Sequence, residues 1–350
     1  MANLWMQSFG VATSNTTTRG MFDGGASATY SETSGRRGGG CLMLSHGAYV
    51  YKNLSSSEQE LIIGFAYNRQ TGSQAWTLVE FTEGTNSHIF LRMNSDFTLS
   101  VVKGGTGTVL GTSSRTIIAN EWVFIELRAK ISTTLGSFDL RMNGVTQASG
   151  SDLNTRNASS SVDAINRIYL GAGANSDTSY ISRRLCDLYL NNTTVVSGSS
   201  CHTFLGPIRV EYLPAAAEGF YKQFTPSTGT NRAATVDDTG ILTSDNNYSS
   251  TAGQMDTYTL ATLPAIAGGS VVYAVAQKAV IAKTDAGYLD AALMLRDGST
   301  STDLVSSTVV QPNTTDTFFT QTYELNPFTT VGWTGTDIAN LQTGVKVVAV

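Results

Sequence analysis

Apolar and polar side chains alternate with period two along much of the chain. From residue 123 to 131 the odd positions Val123, Ile125, Leu127, Ala129 and Ile131 are apolar, while Glu126, Arg128 and Lys130 point the other way. That is the pattern of a strand with one buried face. Residues 137–143 repeat it with Phe138, Leu140 and Met142 inward, and Asn143 and Gly144 then form a dipeptide that favours a two-residue hairpin turn. The same reading predicts strands at 75–82, 88–93, 96–102, 167–170 and 185–190, separated by clusters of Gly, Ser, Asn and Thr. In the C-terminal part it predicts strands at 207–212, 255–260, 270–279, 291–296 and 318–324. Many short strands between turn signals predict an all-β protein built from sandwiches. Only 335–344 has helical character, with Asp337 near its start and Gly344 after its end. The tail, 345–350, has strand composition and is expected to seek a sheet edge in its own domain or in a neighbouring copy.

Proline divides the chain. All six prolines fall within 207–350 and none within 1–206. Charge divides with it: the first part carries 15 basic and 14 acidic side chains, net +1, and the second 7 and 13, net −6. Two modules are therefore expected, joined within 201–207. Charged residues make up only 14% of the chain, against about 25% in an ordinary soluble domain, and abundant hydroxyl side chains take their place.

Composition narrows the function classes. Hydrophobic content of 41% suffices for packed cores; with mean hydropathy −0.05 and no apolar run near 18 residues, no spanning helix is expected. The first ten residues lack a basic region followed by an apolar stretch, so no secretory signal is read there. A net charge of −5 argues against a nucleic-acid groove or an anionic membrane surface, both of which need clustered Lys and Arg. Cys41, Cys186 and Cys201 read as buried thiols of a chain made in a reducing cytoplasm, with a Cys186–Cys201 bridge as the alternative. His46, His88 and His202 are too scattered for a zinc site.

Several segments together resemble a known family. Glu121-Trp-Val-Phe-Ile-Glu-Leu-Arg-Ala-Lys130, the hairpin from Phe138 to Gly144, Ile168-Tyr-Leu-Gly-Ala172 and Leu185-Cys-Asp-Leu-Tyr-Leu190 resemble the concanavalin A-like or laminin-G-like jelly roll. Cys186 stands where such folds usually carry the first of two aspartates, leaving Asp187 alone, so no calcium site is carried over. The continuation is similar to uncharacterised structural proteins of bacteriophage tails and fibres. It runs through Phe204-Leu-Gly-Pro-Ile-Arg-Val-Glu211, Pro214, Gly219, 224–231, 236–238, Asp256-Thr-Tyr258 and 283–287, and then through 324–328, Gly332-Trp-Thr334, Asp337, Ile338 and 341–346. The resemblance spans residues 60–347. It implies a jelly roll over 1–203 and a smaller C-terminal β-sandwich assembly domain over 204–350.

Candidate chemistry is sparse. Glycoside hydrolysis needs two carboxyl groups flanking a sugar; Glu58 with Glu60, two apart, could share a strand face, but solvated strand carboxylates explain them better. No GxSxG elbow is present. Cys201 and His202, as consecutive strand residues, would point to opposite faces and form no dyad. The glycine-rich stretch 35–40 lacks the context of a phosphate loop. Asp237, Asp238 and Asp245 are the candidate ligands for a hard cation, against a plain polar turn. Tyr180, in an expected end loop, is the candidate sugar-stacking residue.

The expectation is a non-enzymatic bacteriophage virion structural protein, made in the host cytoplasm and located in the virion as a tail, fibre, baseplate or capsid-decorating component. Its expected partners are itself, as a homo-oligomer, and other virion proteins, with no catalytic residue, cofactor, nucleic acid or membrane insertion. The alternative is an adhesin that binds a host-surface glycan.

Overall fold

The computed structural model describes residues 3–9, 21–45, 47–70, 75–171, 183–238, 245–264 and 270–350. The fold divides into two compact units, Met1–Val196 with Cys201–Val210, and Ser197–Ser200 with Glu211–Val350.

The first unit is a jelly-roll sandwich. Among the described residues its sheet A runs in the order Val145–Leu153, Gly136–Met142, Trp122–Lys130, Glu60–Arg69, Arg183–Asn192, Cys41–Leu44 and Thr29–Ser31, with Asn3–Gln7 also pairing with Arg183–Asn192. Sheet B runs Thr108–Thr112, Leu99–Lys103, Asn86–Met93, Trp76–Glu83, Ile165–Gly171, Tyr49–Glu58 and Gly24–Ala26. Every neighbouring pair is antiparallel. The predicted hairpin is present: Asn143 and Gly144 take φ of 50° and 81°, the left-handed pair that a right-twisted two-residue turn demands. The strand Glu60–Arg69, with its run Leu61, Ile62, Ile63 and Phe65, is buried on both faces and so shows no alternation.

Burial on both faces of sheet A has a specific cause. Val123, Ile125 and Leu127 face sheet B, where the Trp76 indole N–H donates to the Tyr67 hydroxyl at 3.1 Å. Phe124 and Glu126 face away, and a strap formed by 204–210 covers them. Register aligns Glu126, Gly64 and Tyr189 across three strands. Tyr189 lies over Gly64, where an added Cβ would come within 2.1 Å of its ring, and its hydroxyl donates to Glu126 Oε1 at 2.5 Å. The same oxygen accepts the Gly206 N–H at 2.8 Å, and the Tyr189 oxygen accepts the Leu205 N–H at 3.2 Å. Asp187 sits at a β-bulge with φ 52° and accepts the Val210 N–H at 3.0 Å. Arg36 donates to the Ile208 carbonyl, and Arg141 stacks over Phe204 at 3.9 Å.

That strap corrects the strand predicted at 207–212. Pro207 lacks an N–H, and the backbone groups around it bond to the side chains of Glu126, Asp187 and Arg36 instead of to a neighbouring strand.

The second unit is a smaller sandwich. Sheet C runs Ala215–Lys222, Met255–Leu260, Leu341–Ala349, Asp290–Asp297 and Thr302–Val310. A two-stranded ribbon, Val275–Ile281 with Thr317–Tyr323, packs on it. Leu295, Trp333, Ile338 and Leu341 form the core between them, with Val275, Leu260 and Phe328 against its margin. Gln277 ties the layers, its amide donating to the Met294 and Gly344 carbonyls at 2.8 and 3.0 Å and to the Thr343 hydroxyl at 2.8 Å.

The short helix covers Gly335–Asn340, capped reciprocally by Thr334 and Asp337. It ends earlier than the sequence suggests because Leu341 already begins a strand. The tail expectation is also corrected. Leu341–Ala349 pairs on one side with Met255–Leu260 and on the other with Asp290–Asp297, so it lies in the middle of sheet C and not at an edge. Its ladder is complete within its own unit.

Two predictions follow from this packing. Tyr189→Phe removes the O–H donor from a buried carboxylate and should lower the stability of the first unit by about 1.5–3 kcal/mol, and Gly64→Ala should exceed it, both read by denaturant melts. Deleting 345–350 removes half of a central strand; limited proteolysis should then degrade the second unit rapidly and spare the first.

Candidate functional site

The outer face of sheet B is where aromatic and polar side chains gather. On Tyr49–Glu58 the alternation places Tyr49, Tyr51 and Asn53 on one face, and on Ile165–Gly171 it places Arg167 and Tyr169 there, with Ile168 and Leu170 turned to the core. Register sets Tyr51 directly opposite Tyr169 and Asn53 opposite Arg167. The three tyrosines form an array: Tyr169 lies 5.4 Å from Tyr51 and 5.8 Å from Tyr49 between ring centroids, tilted by 50° and 57°. All three are half-buried. Gly24, on the neighbouring strand, makes room for the array, since a Cβ there would sit 2.4 Å from the Tyr51 hydroxyl oxygen.

Arg167 is locked onto this surface. Its Nε donates to Asn53 Oδ1 at 2.7 Å, its Nη1 to the Tyr169 hydroxyl at 3.1 Å, and its guanidinium carbon stands 4.6 Å from the Tyr51 ring centroid. Asn53 is held in turn, its backbone N–H bonded at 2.6 Å to Asp23, which also pairs with Lys52 at 3.0 Å. On the far side of Tyr169 the ladder places Glu80, fully buried, and beyond it Phe90. The face continues in Arg92, Asn94, Ser100 and Thr112, linked by hydrogen bonds of 2.7–3.2 Å.

Chemically, such a face suits a sugar. Tyrosine offers an apolar ring for the C–H face of a pyranose and a polar tip for its hydroxyls, and arginine adds fixed donors. The alternating positions of Tyr49, Tyr51, Arg167 and Tyr169 were visible in the sequence. Only pairing of two strands more than one hundred residues apart puts them on one surface.

The residues singled out from sequence fall elsewhere. Tyr180 lies outside the described residues. Asp237 is exposed and Asp238 and Asp245 are partly buried; desolvation and the charges of Asp245 and Asp237 hold the Asp238 carboxyl above its usual range. No group of three His, Cys, Asp or Glu side chains able to hold a metal occurs among the described residues. Glu58 and Glu60 do not share a strand face: Glu58 ends a strand of sheet B, and Glu60 begins one of sheet A, where it pairs with Arg128 at 2.7 Å. The three cysteines are buried and none forms a disulfide with another. Burial pushes the Cys41 thiol up to about 11 and raises Cys186 further, the charge of Asp187 adding to the latter.

No protein-family model matches the chain, and no curated protein matches it. Solved structures do resemble it in part. The alginate lyase vAL-1 from Chlorella virus aligns over 54% of this chain and 99% of its own, with 10% identity and a TM-score of 0.39. The carbohydrate-binding module CBM66 from Bacillus subtilis aligns over 48% and 94%, with 10% identity and a TM-score of 0.33. A Trypanosoma rangeli sialidase aligns over 49% of this chain, with 14% identity and a TM-score of 0.34, and the aligned part spans only 27% of the sialidase. The expectation of a non-enzymatic protein is corrected by these likenesses. Lyases and a sialidase are among the partly similar structures, and a fold by itself gives no ground for excluding catalysis.

His88 gives a pH prediction for the first unit. Its Nδ1 accepts the Asn157 N–H at 3.1 Å and its Nε2 bonds the Ala164 carbonyl at 2.9 Å, which requires the neutral ring with the proton on Nε2. Burial lowers its pKa from 6.5, with the Ala164 carbonyl opposing. The unfolded chain therefore takes up the proton first, so the stabilisation is present above about 6.5 and is lost as pH falls from there toward the depressed native value. The denaturation midpoint of the first unit should drop over that window, and the drop should shrink in His88→Gln.

Proposed function

We propose that the protein is a glycan-binding, adhesin-like component of a bacteriophage particle, with the outer face of sheet B as its sugar-binding surface. The observation that carries the binding reading is the array of Tyr49, Tyr51 and Tyr169 with Arg167 held among them. Three half-buried rings on rigid strands lose little side-chain freedom when a ligand docks, which favours binding of flat, weakly apolar sugar faces. Among the described residues of the first unit, the ring pairs Trp5 with Phe22, Phe9 with Phe22 and Phe124 with Tyr189 are buried. Placement in a virion rests on the ordered resemblance from Phe204 to Lys346; tail, fibre or baseplate attachment to other copies and other virion proteins belongs to that placement.

Screening the full chain against a panel of host-surface polysaccharides tests the binding reading. Tyr169→Ala and Tyr51→Ala should each weaken binding at least about tenfold, the scale of an aromatic anchor at the centre of an interface, with melting temperatures nearly unchanged. Equal affinity in wild type and both variants would show that the surface is not the binding site. Measurement of new reducing ends and unsaturated products in the same mixtures reads any turnover directly.

A further inference from the structure

Arg167 differs from two other arginines that stand over rings in the first unit, Arg36 over Phe124 and Arg141 over Phe204. Arg36 faces Asp187 at 3.6 Å and Arg141 pairs with Asp139 at 2.9 Å, whereas no carboxylate lies within ion-pair distance of Arg167 among the described residues. Its two partners, the Asn53 amide oxygen and the Tyr169 hydroxyl, are both neutral. Neighbouring acids are engaged elsewhere: Asp23 pairs with Lys52 and with the Asn53 N–H, and Glu80 makes contacts of its own. A half-buried guanidinium thus sits on a sugar-sized aromatic surface without a counter-charge. Two of its five N–H donors are used, which leaves donors on Nη1 and Nη2 for a further acceptor. Its plane is fixed by Tyr51 and its axis by Asn53, so the free edge is presented in one orientation.

We propose that this surface selects acidic sugars, with the free edge of Arg167 taking the ring carboxylate of a uronate or sialate while Tyr51 and Tyr169 carry the pyranose. The proposal rests on the glycan-binding reading above and adds the charge of the ligand to it. A carboxylate matches the planar fork of a guanidinium in a way that a neutral hydroxyl cannot, and pairing with it supplies the missing counter-charge.

The test uses the full chain and paired ligands: immobilised uronate-bearing and sialate-bearing oligosaccharides, each as the free acid and as its methyl ester. Wild type should bind at least one free acid about tenfold or more tighter than its ester, the size expected of a charge-assisted hydrogen-bonded pair. Arg167→Gln should bring acid and ester to equal affinity, and Arg167→Lys should restore part of the preference. The uronate and sialate arms distinguish the two sources of the carboxylate. Ester and acid bound equally by wild type, with that binding lost in Tyr169→Ala, would overturn the acidic-sugar proposal and leave the glycan-binding reading standing. An acid preference that survives Arg167→Gln also overturns it. Binding of neither class, or binding unaffected by Tyr169→Ala, overturns both.

Discussion

A carboxylate removed from water must be met by donors, and Glu126 imposes that demand at the centre of sheet A. Its Oε1 is met by the Tyr189 hydroxyl and the Gly206 N–H, while its Oε2 has no hydrogen-bond partner. Leaving such a group unsatisfied costs more than a typical hydrogen bond returns, so the strap that brings Gly206 is held where it is needed. Much else follows from this. Gly64 has to be glycine for Tyr189 to cross to Glu126, and Phe124 stacks at 6.3 Å on the ring so placed. Burial and the Glu126 charge push the Tyr189 hydroxyl far above its usual range, so it remains a donor at any ordinary pH.

The strap also settles which surface of the first unit is left for a ligand. Sheet A is covered outside by 204–210 and inside by sheet B. Sheet B has its core face filled by Ile168, Leu170 and Val79, and its other face carries Tyr49, Tyr51, Tyr169 and Arg167. Asp187, the remaining aspartate of the jelly-roll motif, is spent on the strap through the Val210 N–H and Arg36. Burial raises its carboxyl above the usual range, with these same donors opposing the rise.

In the second unit the organising element is the strand Leu341–Ala349. Leu341–Ala349 lies between two strands whose paired residues are more than thirty positions apart in sequence, so it is the strand that joins them into sheet C. Gly344 has to be small there, because an added Cβ would meet the Asp256 carbonyl oxygen at 1.9 Å. Asp256 is buried beside it and accepts the Gln223 and Phe224 N–H groups and the Tyr258 hydroxyl.

The amino-acid sequence alone determined the all-β character, the inward side of strands such as Trp122–Lys130, and the turn at Asn143 and Gly144, because alternation and turn chemistry are local properties. Strands buried on both faces, such as Glu60–Arg69, were illegible for the same reason: a run of apolar residues carries no period. Tertiary structure alone decided that 204–210 is a strap, that the terminal strand is interior, and that Tyr51 and Tyr169 meet. Each of those depends on which strands pair, and pairing is chosen by long-range complementarity between surfaces. Glu126 reads as one solvated residue of an alternating strand until Tyr189, sixty-three positions later, lies across Gly64 and makes it the anchor of the fold.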